Sequence, residues 1–169
     1  RGNPGKAAIG VVIEEAISHQ SSVVGDTINN QLKADSRKLI AEIGKRIGET
    51  TNNVAEYSAV REALEYLRNN LLQSRISLRE TMTPAKQDLA SRDNNQHGNI
   101  KVDFYLDSLL VVQQLNGVFK IKDARLREFI FDIKFLEQEI GGAISYTHIP
   151  REENMRADVL VNKALDTPM

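Results

Sequence analysis

Three carboxylates in this chain carry the most chemistry for their placement. Glu56 follows the amide-rich run Thr50-Thr51-Asn52-Asn53 and opens the most regular helical pattern in the sequence. Asp107 closes a short alternating segment, and Asp158 opens the last apolar repeat. All three are thus expected at helix starts, two of them where a strand hands over to a helix. In an open α/β sheet, ligands gather outside the carboxyl ends of the strands. Helix N-termini favour anions and would keep such carboxylates ionised. Ionised oxygen donors, with no thiolate available, point to magnesium or manganese rather than zinc. Each acid also has a plain structural reading. Asn53-x-x-Glu56 fits a reciprocal helix cap, Asp107 fits an N-cap, and Asp158 fits a charge complementing a helix dipole.

The elements that must position these acids follow from periodicity. Ala7 to Ile13 reads as a buried strand in which Gly10 admits a close neighbour. Leu39, Ala41, Ile43 and Ile47 mark a second strand ending near Gly48, and the two should pair antiparallel. Val54, Tyr57, Val60, Leu64, Leu67 and Leu71 fall on one face of a helix over about 53–70. Ile100 to Leu106 alternates as a strand, and Leu109 to Leu115 is a short apolar helix stopped by Asn116-Gly117. A longer helix spans about 123–140, with Gly141-Gly142 at its end, then a strand over 143–149 and a final helix over about 154–165. In that last helix Ala157, Leu160, Val161 and Ala164 face inward. The expectation is one α/β domain over residues 1–169, with a mixed sheet, the first strands antiparallel and the later ones parallel. Polar inserts lie near 18–36 and 73–99. Within the second, Pro84 suits the first position of a short helix over 84–90. His19 and His97 sit in these inserts and read as solvated loop residues.

Composition narrows the function classes. The net charge of -1 gives no whole-protein attraction to nucleic acid, so any such attraction must be local or metal-assisted. The absence of cysteine excludes disulfides, thiolate catalysis and cysteine zinc sites. No apolar run approaches a membrane span and no signal peptide is visible. A cytoplasmic monomer without an obligate protein partner is expected.

Gly2-Asn3-Pro4-Gly5, Thr51-Asn52-Asn53-Val54-Ala55-Glu56-Tyr57, Asp107-Ser108 and His148-x-Pro150-Arg151-Glu152-x-Asn154-x-x-Ala157-Asp158 occur in that order. Together they resemble type I ribonuclease H, in the bacterial, archaeal and plant branch related to reverse-transcriptase-associated domains. The resemblance implies a five-stranded ribonuclease H-like sheet with helices on both sides. It implies metal-dependent hydrolysis of the RNA strand of RNA–DNA hybrids, with two Mg²⁺ ions, or Mn²⁺ in their place. Glu56, Asp107 and Asp158 match the last three members of the family's Asp-Glu-Asp-Asp set. His148, ten places before Asp158, matches the histidine that assists protonation or product release; its structural alternative is a strand-end residue packed beside Ile144 and Tyr146. Asn3, Asn52 and Asn53 match hybrid-contacting positions suited to minor-groove and 2′-hydroxyl recognition. Ser108 belongs to the same set. Arg151 suits a phosphate, or is a solvated loop charge. Leu109 departs from the polar residue that commonly follows Asp-Ser, and the basic handle helix of some relatives is not evident.

The largest departure is the first aspartate. The family pattern Asp-Gly-x-x-x-Gly-Asn-Pro-Gly would put it four residues before Arg1, on a central strand that this sequence does not contain. The chain as written is therefore expected to leave a gap in the sheet and to be inactive. The competing expectation is a non-catalytic nucleic-acid-binding module of the same fold. A nuclease or transposase relative in the wider superfamily fits the Thr-Asn-Asn-x-x-Glu wording less well.

Overall fold

A computed structural model describes residues 3–16, 37–81 and 100–167. Its strands are β1 (Gly5–Ala16), β2 (Arg37–Thr50), β3 (Lys101–Leu106) and β4 (Ala143–His148). Its helices are α1 (Asn52–Thr81), α2 (Leu109–Leu115), α3 (Ala124–Ile140) and α4 (Met155–Asp166), the last preceded by a 3₁₀ turn over Arg151–Asn154. The expected insert 18–36, the short helix at 84–90, His19 and His97 lie outside the described residues.

β1 and β2 pair antiparallel and β3 and β4 pair parallel, as their patterns require. Among the described residues no strand joins the two pairs. A cleft of about 520 Å³ separates β1 from β3, lined by Gly10 to Glu14 on one side and Lys101 to Leu106 on the other.

The core forms where α1, α2 and α3 meet the β3–β4 pair. Val54, Tyr57, Val60 and Leu64 of α1 pack with Val111, Val112, Leu115, Leu126, Ile133, Leu136 and Ile140. Each such fully buried side chain contributes about 1.5–3 kcal/mol by leaving water. The inward face of α1 is the one its spacing predicts, with Leu67 and Leu71 partly buried against the core. The helix is longer than the pattern suggests, running to Thr81 rather than Asn70. Neither glycine nor proline interrupts the sequence between Gly48 and Pro84, so nothing local stops it. Leu39 is exposed, contrary to its assignment to the apolar side of β2.

Glycine explains how α4 docks on the first sheet. A Cβ at Gly10 would lie 2.1 Å from the Ala157 carbonyl oxygen, and one at Gly44 would lie 3.0 Å from that of Leu160. Bare backbone at these two points lets the helix lie on the hairpin, with Ala157, Leu160, Val161 and Ala164 half-buried beneath it. Ala8 and Ile9 are both buried, so β1 is covered on both faces where it passes the acids. Arg46 reinforces the contact by donating to the Ala164 and Leu165 carbonyls at the end of α4.

Candidate active site: a carboxylate cleft

The start of α1 differs from the capping box that Asn53 and Glu56 suggest. The helix begins one residue earlier, at Asn52, and Thr51 caps it by accepting from the Val54 amide through Oγ1 at 3.4 Å. The Asn52 amide donates to Asn3 Oδ1 at 3.2 Å, which ties the segment Asn3-Pro4-Gly5 to the helix start. No acid lies in the first turn of α1. Glu56 sits in the second, relieved of any capping duty.

Asp107 is likewise not a cap. That role falls to Ser108, whose hydroxyl accepts from the Val111 amide. Asp107 instead stands at the mouth between β3 and α2, where the Ile149 amide bonds to Leu106 and draws the ends of β3 and β4 together. Its Oδ1 accepts from Asn154 Nδ2 at 3.2 Å. Asp158 does lie in the first turn of α4. Its Oδ1 accepts from Arg151 Nη2 at 2.7 Å and its Oδ2 from Asn162 Nδ2 at 3.1 Å.

Glu56, Asp107 and Asp158 line one cleft of about 320 Å³, together with Lys6, Thr50, Asn52, Arg151, Asn154 and Asn162. Three acids from three separate elements thus face a single hollow. The helix-terminus argument for keeping them ionised fails at Glu56. Burial, reinforced by the charge of Asp107, pushes its carboxyl up to about 7, and Arg151 offsets this only in part. Among the described residues no group of three acids or histidines is poised around one ion. Both Asp158 oxygens are engaged, by Arg151 and Asn162. The donor chemistry nevertheless suits a hard divalent cation: all three side chains are carboxylates, and Arg151 only partly offsets the repulsion that Asp107 imposes on Glu56.

The other predicted residues divide. Asn52 lines the cleft, whereas Asn3 and Asn53 are not among its lining residues. His148 ends β4 opposite Leu106, exposed rather than packed beside Tyr146, and does not line the cleft. Sequence reasoning missed the roles of Asn154 and Asn162. They stand four residues before and four after Asp158, the spacing of neighbours on a helical face, and that periodicity was the available signal.

Fold and cleft together define a mixed α/β domain whose carboxylates gather where β3 ends and where α1 and α4 begin. Residues 94–164 match the reverse transcriptase-like family. Ribonuclease HI of Halobacterium salinarum is 34% identical over 98% of this chain, which spans 60% of that protein's length. The crystal structure of ribonuclease H1 from the same archaeon matches with a TM-score of 0.61 at 33% identity, covering 98% of this chain and 90% of that one. LC11 ribonuclease H1, solved in complex with an RNA/DNA hybrid, matches with a TM-score of 0.62 at 33% identity, with the same two coverages. The chain belongs to the ribonuclease H family. No helix among the described residues is long and apolar enough to cross a membrane.

Proposed function

We propose that this chain is part of a metal-dependent endonuclease that hydrolyses the RNA strand of RNA–DNA hybrids. The observation that carries the reading is the meeting of Glu56, Asp107 and Asp158 in one cleft. The hybrid bound by LC11 ribonuclease H1 supplies the substrate class. Bound divalent ions, magnesium or manganese, would activate water and stabilise the leaving 3′-oxygen. Glu56 and Asp107 would hold them, with Asp158 joining once its oxygens are freed. Asn154 orients the Asp107 carboxylate. Asn52 and Asn53 at the start of α1, with Asn3 in the turn tied to it, present amides to the minor groove and the 2′-hydroxyl. Ser108, the N-cap of α2, adds a hydroxyl for the same hybrid. Arg151 at the cleft mouth meets a phosphate of the backbone. His148, exposed at the end of β4, protonates the leaving oxygen or helps product depart. A cytoplasmic monomer is the setting that goes with this reading.

The test is cleavage of a hybrid labelled on its RNA strand, in Mg²⁺, by the full-length protein. RNA fragments ending in 5′-phosphate and 3′-hydroxyl are expected. Cleavage that persists in Asp107→Asn would refute the assignment. One observation favours a second reading, a hybrid-binding module without catalysis: no three-ligand group is formed among the described residues. That reading predicts salt-sensitive hybrid binding with no cleavage at any metal concentration.

A further inference from the structure

We propose that Arg151 is a built-in counter-cation that competes with divalent metal for Asp158, and so sets how readily the carboxylate cleft loads. The inference rests on the metal-dependent reading above.

Arg151 opens the 3₁₀ turn that leads into α4, seven residues before Asp158. Its Nη2 reaches Asp158 Oδ1 at 2.7 Å. The guanidinium is held chiefly by this pairing, and Asp107 and Glu56 add to its attraction. One cation thus faces all three acids, as a metal ion there would. Asn162 donates to the other Asp158 oxygen at 3.1 Å, so neither oxygen is free. A guanidinium does not lose its proton near neutrality. Asp158 is released only when something displaces the arginine. The pair is suited to displacement because it is wet: the side chains of Arg151 and Asp158 are 75% and 40% exposed. An exposed pair of this kind is weak and screened by salt. A divalent ion brings twice the charge to the same oxygens, and binding it displaces the guanidinium from Asp158.

Mn²⁺ binding to the full chain without nucleic acid, followed by calorimetry and by the paramagnetic signal of free Mn²⁺, tests this. Arg151→Ala should bind Mn²⁺ about two- to fivefold more tightly than the parent, the range set by an exposed ion pair. Arg151→Lys should stay near the parent, and the difference should shrink in high salt. In an Asp158→Asn background, Arg151→Ala should lose most of its effect, which a general charge change would not do. If Arg151→Ala fails to fold, Arg151→Gln carries the comparison. Equal or weaker binding by the arginine variants, with the parent binding normally, overturns the proposal. If neither parent nor variant binds Mn²⁺, the metal-dependent reading falls and this one with it.

Discussion

Gly10 on β1 lies against the backbone of Ala157 so closely that a Cβ there would come within 2.1 Å of the Ala157 carbonyl oxygen. The neighbouring residue on α4 is Asp158. The contact that packs the helix on the hairpin therefore also sets where one of the three acids stands. A methyl group at Gly10 meets rigid backbone rather than a flexible side chain, so the helix itself must move. Gly10→Ala should destabilise the fold by about 1–3 kcal/mol despite alanine's lower chain entropy in the unfolded state. Gly44→Ala, whose Cβ would meet Leu160 at 3.0 Å, should cost less. Urea unfolding of both variants checks the order, and equal stabilities would show that α4 is not held by this approach.

Asn154 joins the final turn to the end of β3 through its 3.2 Å bond to Asp107. It touches no reacting atom and acts by orienting the carboxylate, as outer partners of metal ligands do. Asn154→Ala should lower hybrid cleavage about 10- to 100-fold. Because the side chain is only half-buried, the melting temperature should shift little. Most of the loss should appear in kcat at saturating hybrid. An effect confined to KM would assign Asn154 to substrate binding instead.

How far the sequence carries depends on what each feature rests on. The strand pairs and helix faces rest on periodicity, and Val54, Tyr57, Val60 and Leu64 turn inward as their spacing demands. Asp107 and Asp158 stand where strand-to-helix handovers put them. Capping was less legible, because Thr51, Asn53, Asp107 and Ser108 all carry oxygens able to cap. Choosing Thr51 and Ser108 depends on a one-residue difference in where the helix begins. The ionisation of Glu56 was not legible at all. It depends on burial and on the distant Asp107, neither of which local sequence encodes. The engagement of Asp158 by Arg151 is likewise a matter of tertiary placement, since the 3₁₀ turn that carries the arginine has no strong sequence signature.

Thr50 is 6% exposed at the end of β2, and its hydroxyl has no hydrogen-bond partner among the described residues. A buried hydroxyl left unpaired costs desolvation without return. Thr50→Val keeps the shape and removes the polar atom. It should leave stability unchanged or raise it by up to about 1 kcal/mol, measured by thermal and urea unfolding. A clear loss of stability would show that the hydroxyl has a partner in solution.

Glu56 ties stability to pH and to metal. Its carboxyl is raised from 4.5 to about 7 in the fold, first by burial and then by Asp107. Between these two values the folded chain holds a proton that the unfolded chain has released. Stability from this group is therefore present at low pH and declines as pH rises through that window. At about 1.36 kcal/mol per unit, the loss is at most about 3.4 kcal/mol. Glu56→Gln removes the charge and should flatten this decline, making the variant more stable than the parent at pH 8 and close to it at pH 5. A divalent ion in the cleft acts in the opposite sense to burial and favours the carboxylate. Mg²⁺ should thus raise the melting temperature more at pH 8 than at pH 5, with proton release on binding near pH 6. Melting curves with and without Mg²⁺ across this range give the result. A metal shift independent of pH, or one unchanged in Glu56→Gln, would remove Glu56 from the ligand set.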